Sequence, residues 1–475
     1  VEKILNRKKC IFFLADGSRL DVFSELFERG ELENIQKYIV SPGELLKGIT
    51  VFPSTTGPAY TPYLLGKFPG RCNLPGIRWF DRRYYDSTPF SLRRFRSYAG
   101  PQSFLINRDI ECDSPTLFGL VPGSVSILNE ITRGIKPGNN KTKYLKYYLM
   151  VKSHFTDRTD RVEEVTGEIL IDSLESSPRF IFCVFPAIDS YSHRYHPVHQ
   201  KVIESYRRLD QYVGMIAEKL AERGELENTL FIVGSDHGLT STHSHFDSLG
   251  FLRRRGFKPL YYTNVLRHFF DADSSIMVSG NSMAHYYFKN SDGWGRYTYC
   301  EEIKDIVDEL VNRPEVDIVC ARTGGMNGEI KIINPMGEAL VSMGDEGLIS
   351  YRNVSGNPLG YDFSSREIDI SESLELTVNS DYPDALLQIL QLFESPRTGD
   401  VVVSSKPGYD LRATHENPEH HGSHGSLHKD HMVVPVLISQ PAQYDCIRTA
   451  DIFSSIVRYL GLEVSSGVDG RNILE

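Results

Sequence analysis

The sequence predicts an α/β fold, a mostly parallel central sheet with helices on both faces, interrupted by an inserted α+β subdomain. Three observations point there. The strand-length apolar runs that open at Lys9, Arg179 and Asn228 each lead directly into an acidic residue, Asp16, Asp189 or Asp236. Helix-length amphipathic segments separate these runs, as parallel crossovers require. From about 262 to 380 the pattern changes to short strands and turns. A chain of 475 residues exceeds the usual size of one core, so we expect a catalytic core from 1–261 and 381–475 around an insertion at 262–380.

The first run, Lys9-Cys-Ile-Phe-Phe-Leu-Ala, ends in Asp16-Gly17 and is followed by a helix from Arg19 to Arg29. Taken alone, Asp-Gly after a strand is a turn signal. A second strand from Gly48 ends at Pro53, and Thr56-Gly57-Pro58 reads as a helix N-terminus with a threonine cap and proline in the first turn. A hydroxyl there is placed to cap the helix, to sit beside a bound anion, or to act as a nucleophile. Arg78, Arg82, Arg83, Arg93, Arg94 and Arg96 follow, interleaved with aromatic residues. Most are expected to pair with acids, and Arg78 is the candidate contact to an anionic substrate.

Residues 97–158 lack an α/β rhythm and are expected to form a cap of short helices, the Tyr and Leu face near Lys143–Lys152 serving as cap core. An amphipathic helix at Arg161–Glu175 leads to the strand from Arg179, then to Asp189 and His193, four residues apart and near enough to share a cation. A long helix, Val198–Arg223, returns the chain to the strand that delivers Ser235-Asp-His-Gly. Adjacent Asp236 and His237 offer a hard oxygen and an imidazole nitrogen to one ion. Two such pairs at successive strand ends make metal the better reading than coincidence. Farther on, the runs Glu329–Asn334 and Glu338–Met343 read as a hairpin, and the helix Tyr382–Phe393 with the strand from Asp400 should rejoin the main sheet. The tract Glu419–His431 holds His420, His421, His424, His428 and His431; Gly422 and Gly425 make it a loop that brings in one ligand. A last strand from Met432 and a helix from Thr449 to Leu460 close the fold.

Composition excludes several classes. Net charge −10 provides no basic surplus for binding a nucleic-acid polymer. Seven scattered cysteines, without a CxxC pair, fit free thiols rather than a disulfide framework. No apolar run reaches bilayer-spanning length, and the opening VEKILNRKKC has no secretory apolar region, so a cytoplasmic protein is expected.

In order, Asp16-Gly-Ser-Arg, Phe52-Pro-Ser-Thr-Thr-Gly-Pro, Asp189-Ser-Tyr-Ser-His, Ser235-Asp-His-Gly and Gly422-Ser-His-Gly resemble the alkaline phosphatase superfamily, most closely its type I phosphodiesterase and nucleotide pyrophosphatase branch. Asp451-Ile-Phe, Leu460-Gly and Asp469-Gly-Arg resemble that family's C-terminal signature. The resemblance spans nearly the whole chain, least in the cap and the insertion. It implies an alkaline-phosphatase-like sheet and two divalent ions, zinc by expectation. Asp16, Thr56, Asp236 and His237 would hold one, and Asp189, His193 and His424 the other. Thr56 corresponds to the nucleophile, with Ser54 and Thr55 as the neighbouring alternatives. Two positions depart from the family: Arg78 follows Gly76-Ile77 where the diesterases carry an asparagine, and His196 stands where a Gly-Pro is common.

The implied chemistry is hydrolysis of a small phosphate ester through a phosphothreonine intermediate, with two ions roughly 4 Å apart stabilising the attacking and leaving oxygens. A diester is the expected substrate. The alternatives are a phosphomonoesterase, a phosphonate or sulfate ester hydrolase, a phosphoryl transferase on the same site, and, from another class, a non-catalytic zinc-binding module.

Overall fold

A computed structural model describes residues 8–85, 92–262, 267–325, 328–344, 346–412, 419–463 and 466–475. The chain's opening, and the stretch 86–91 between the two groups of arginines, lie outside the described residues.

Seven strands form the central sheet in the order Cys446–Arg448, Glu44–Ile49, Val433–Ile438, Thr229–Gly234, Lys9–Ala15, Phe180–Phe185 and Val125–Ile127. Six run the same way and Val433–Ile438 opposes them, as expected of a mostly parallel sheet. The three central strands are buried along their whole length, which is why each reads as a continuous apolar run rather than an alternating one. Register fixes the site. Ala15 lies opposite Phe185 and Leu14 opposite Gly234, so Asp16, the turn into Ala187 and Ser235-Asp236 leave the sheet at the same edge. Helices Leu20–Glu28, Thr159–Ser173, Gln200–Glu222 and Thr449–Tyr459 have buried faces and pack into the core around this sheet.

The expected cap at 97–158 does contain short helices, but it also contributes Val125–Ile127 to the sheet edge. Three residues are too few for periodicity to reveal. A second, mainly antiparallel sheet of nine strands runs in the order Pro259–Tyr261, Ser274–Ser279, Met283–Phe288, Val401–Ser405, Val316–Arg322, Ile330–Asn334, Gly337–Met343, Ile349–Gly356 and Ser365–Ile368. The hairpin expected in this region is present, with Ile330 opposite Val341 and Asn334 opposite Gly337.

One expectation fails here. Val401–Ser405 does not rejoin the parallel sheet; it pairs antiparallel with Met283–Phe288 on one side and Val316–Arg322 on the other. Its run of valines is buried on both faces, and such a run looks alike in either sheet. The helix Ala385–Glu394 also belongs here: Leu386, Leu387 and Ile389 share one core with Ile318, Ile332 and Val341 of the antiparallel sheet and with Val51, Phe52 and Ala59 of the segment that carries Thr56.

Candidate active site

Asp16 follows the central strand, and Gly17 beside it takes a left-handed conformation (φ 70°) in which a Cβ would lie 2.9 Å from Asp189 Cβ. Only glycine admits both the backbone and the approach. Asp189 and His193 lie one turn apart on the helix Ala187–Arg194, which puts His193 Nε2 3.3 Å from Asp189 Oδ1. Asp236 and His237 come from the end of Thr229–Gly234, with 3.4 Å between His237 Nε2 and Asp236 Oδ2 and 3.6 Å from His237 Nε2 to Asp16 Oδ1. His424 arrives on the loop between Gly422–Ser423 and Leu427, its ring stacked on that of His237 at 3.6 Å between centroids.

Thr56 closes the cluster, its hydroxyl 3.1 Å from His237 Nε2 and 3.5 Å from Asp16 Oδ1. It does not cap a helix as expected. Gly57, at φ 89°, takes the position before the short 3-10 turn Pro58–Tyr60, and Thr56 stands outside it. The Gly-Pro step turns the chain one residue later than the sequence pattern suggests, which frees the hydroxyl to face the carboxylates. The structure thus brings Asp16, Thr56, Asp189, His193, Asp236, His237 and His424 together at one sheet edge.

The donor set fits divalent metal. Asp189, His193 and His424 form one group whose ligand atoms all lie within 4.8 Å of one another, and Asp16, Asp189 and His237 form a second. Asp189 belongs to both. Each imidazole directs Nδ1 at a backbone carbonyl: His193 at Gly422 (2.7 Å), His237 at Gly238 (3.1 Å) and His424 at Ser54 (2.9 Å). A carbonyl only accepts, so Nδ1 carries the proton and the Nε2 lone pairs are left for a metal. Asp189 Oδ1 and Asp236 Oδ2 are buried and accept no hydrogen bond among the described residues. Buried carboxylates this close repel one another; burial first, then Asp236 and Asp189, push the Asp16 carboxyl well above its usual range. Burial, reinforced by the neighbouring His237 and His193, holds His424 well below the usual imidazole range, so it stays neutral and able to ligate. The polar atoms and charge of the site call for cations.

Arg78 is not in this cluster. On the strand Arg78–Phe80, its guanidinium donates to Ser97 Oγ (3.2 Å) and the Val278 carbonyl (3.1 Å). Its amide donates to Ser279 Oγ (3.3 Å), next to Gly280, whose carbonyl accepts the His424 amide. Arg82, Arg83 and Arg96 pair with Asp400, Asp81 and Asp109, as expected for most of the group. Of the other histidines in the 419–431 tract, His431 is buried against Thr240 and Ser426, and His428 caps the short helix Lys429–Met432.

Sequence reasoning missed several supports of the site. Gln388 Oε1 accepts the Phe52 amide (3.2 Å) and Gln391 Nε2 donates to the Phe52 carbonyl (2.7 Å), gripping the segment before Thr56 from both sides. Tyr60 directs its hydroxyl at Asp16 Oδ2 (3.5 Å), and Thr50 donates to the Asp236 carbonyl (2.6 Å). Tyr60 lies four residues after Thr56, a spacing that could have flagged it. The two glutamines lie more than 330 residues away in sequence, beyond any local signal.

The fold has known counterparts. Murine ectonucleotide pyrophosphatase/phosphodiesterase 5 superposes with a TM-score of 0.56 at 14% identity, covering 98% of this chain and 97% of that one. Phosphonoacetate hydrolase from Sinorhizobium meliloti 1021, solved with phosphonoacetate, gives 0.58 at 14% identity with 96% of each chain covered. No curated protein matches by sequence. A family model, however, aligns with residues 10–427 and takes in every residue of the cluster. The chain belongs to the type I phosphodiesterase / nucleotide pyrophosphatase family, metal-dependent phosphoester hydrolases of the alkaline phosphatase superfamily.

Proposed function

We propose that this protein is a two-metal phosphodiesterase whose nucleophile is Thr56. The observation that carries the reading is the position of the Thr56 hydroxyl, 3.1 Å from His237 Nε2 and 3.5 Å from Asp16 Oδ1, where metal-ligating groups converge. Asp16, Thr56, Asp236 and His237 would hold one ion and Asp189, His193 and His424 the other. Carboxylate and imidazole donors in this mixture suit zinc. Bound there, two divalent ions would neutralise the carboxylates and stabilise charge on the attacking and leaving oxygens.

The chain's own residues do the rest. Thr56 Oγ1 attacks phosphorus in line with the departing alcohol. The bond to that alcohol breaks as the phosphothreonyl diester forms. Water then cleaves this ester, releasing a phosphate monoester and restoring the Thr56 hydroxyl. The grip of Gln388 and Gln391 on Phe52 holds the threonine segment in place, which limits the motion needed to reach phosphorus. Murine ectonucleotide pyrophosphatase/phosphodiesterase 5 is inactive as a threonine-to-alanine variant and was solved in that form with AMP, which supports a threonine nucleophile.

Charge favours a diester. Two divalent ions bring four positive charges; Asp16, Asp189 and Asp236 cancel three and the ionised Thr56 oxygen cancels the fourth. A nearly neutral site suits the single negative charge of a diester better than a monoester dianion. Arg78, which would alter that balance, has its guanidinium on Ser97 and Val278. The test is kcat/KM for bis-p-nitrophenyl phosphate, p-nitrophenyl phosphate and the matching phosphonate and sulfate esters, alongside elemental analysis. The diester should be turned over fastest by protein carrying two ions. A faster monoester, phosphonate or sulfate would overturn the substrate assignment, and one ion per chain the two-metal site.

A further inference from the structure

The helix Leu145–Thr156 turns an apolar face to solvent. Its inner side is closed by Leu149 and Ser153, where it packs along Thr159–Ser173. On the outer side Tyr144 is 85% exposed, Tyr148 60%, Val151 47% and Phe155 72%. Spacings of four, three and four residues place them within an arc of about 60° on a helix that turns 100° per residue. Phe104, 61% exposed, widens the stripe through its neighbour Tyr147, on which its ring stacks at 5.2 Å. The structure corrects the expectation of a buried Tyr and Leu face: Leu149 points in, whereas Tyr144, Leu145 and Tyr148 are exposed. Contiguous exposure of this kind marks an interaction surface.

Charge identifies the partner. From 131 to 156 the sequence has Arg133, Lys136, Lys141, Lys143, Lys146 and Lys152 and no acidic residue, in a chain of net charge −10. All but Lys146 are exposed. The flanking acids are engaged, Glu130 with Lys146 (2.5 Å) and Asp157 with Lys201 (2.5 Å). Lys143 and Lys152 lie over the rings of Tyr144 and Tyr148, at 5.1 and 5.5 Å from their centroids. We propose that this face docks on an anionic lipid bilayer, the rings entering the headgroup region while the lysines remain among the phosphates. A straight row about 17 Å long on one helix face matches a plane better than it matches a peptide. Asp157, which ends the helix, also accepts from Tyr195 (2.6 Å) and lies 3.4 Å from Arg194 at the end of the helix bearing Asp189 and His193. Docking would therefore bring the metal-ligating helix close to the membrane. The proposal does not depend on the catalytic assignment.

The test is flotation of the full chain with vesicles of phosphatidylcholine alone or mixed with phosphatidylglycerol, with and without added salt, in the presence of chelator so that turnover plays no part. Wild type should float with the mixed vesicles only, and salt should release it. Lys141→Glu with Lys143→Glu should lower partitioning at least about twenty-fold, from about fivefold per lysine. Tyr148→Ser with Phe155→Ser should lower it at least about tenfold, with unchanged unfolding temperature because both side chains are exposed. Wild type that stays with the unbound protein, or aromatic variants that float like wild type, would overturn the proposal. Concentration-dependent dimerisation lost in the aromatic variant would assign the face to a second copy instead.

Discussion

The two halves of the Asp-His cluster use the same residue types in opposite proportion. Beside Thr56, two carboxylates, Asp16 and Asp236, accompany one imidazole, His237; on the other side one carboxylate, Asp189, accompanies two imidazoles, His193 and His424. The proportion decides how each carboxylate behaves. Burial and the surrounding aspartates push Asp16 up, and burial pushes Asp236 up despite His237. Burial acts on Asp189 too, but the neighbouring imidazoles, His193 foremost, outweigh it and hold that carboxyl below the usual range. The half beside Thr56 therefore carries more uncompensated negative charge, and gains more from a cation, than the half built on histidine.

The largest effect should come from Thr56→Ala. It should cost about three orders of magnitude or more in kcat, with unfolding temperature close to wild type, because Thr56 caps no helix, and with the ion still held by Asp16, Asp236 and His237. Retained turnover, with loss in Thr55→Ala, would move the nucleophile by one residue. Next in size, Asp189→Ala should empty the half it forms with His193 and His424 and weaken the other, since its carboxylate also lies within 4.8 Å of the ligand atoms of Asp16 and His237, whereas His193→Ala should empty only its own half. Elemental analysis showing equal losses in the two variants would show that Asp189 acts on its own half alone.

The contrast between halves also predicts opposite pH behaviour of chelated protein. For Asp16 and Asp236 the folded pKa is raised, so their contribution to stability is complete below the unfolded value of about 3.9 and is lost as pH rises through the folded values. For Asp189 the folded value is depressed, so its contribution is present above the unfolded value and is lost as pH falls through the folded one. Calorimetry under chelator should show Tm falling as pH rises from about 4, with a shallower fall in Asp236→Asn. An equal slope in that variant would count against repulsion as the cause.

Smaller still, Gln388→Leu should reduce kcat about tenfold by loosening the Phe52 segment while leaving metal content intact. Recovery in Gln388→Glu would show that Gln388 acts as an acceptor for the Phe52 amide. Arg78→Ala should change the ratio of diester to monoester kcat/KM less than about tenfold. A monoester preference in wild type that vanishes in this variant would show that the guanidinium leaves Ser97 to meet substrate.

Much of this was legible because parallel sheets deliver residues from strand ends, and Asp16 and Asp236 stand directly after apolar runs. Asp189 and His193 were legible as a pair whether the segment was loop or helix, since i, i+4 spacing converges in either. Less was legible where the outcome depended on distant partners. Val401–Ser405 looked like a parallel strand because burial on both faces erases the alternation that separates sheet types. The cap expected at Thr56 failed because Gly57 adopts φ 89°, a conformation that depends on the surroundings of the turn. Arg78 could be singled out as a charge near the nucleophile, but Ser97 and Val278, its partners, meet it only in the folded chain.

The hold of Gln388 and Gln391 on Phe52 bears on how such a molecule can be rearranged. In chain order the antiparallel sheet interrupts the parallel one and looks like a module that could be exchanged between relatives to change substrate choice. The helix Ala385–Glu394 packs with that sheet, yet it fastens the segment of the other that carries Thr56. A chimera that swaps the strands but keeps this helix and its two glutamines preserves the fastening. One that cuts on the far side of the helix replaces it with whatever the donor carries, and its turnover would then report on the graft's fit to Phe52 as much as on its substrate.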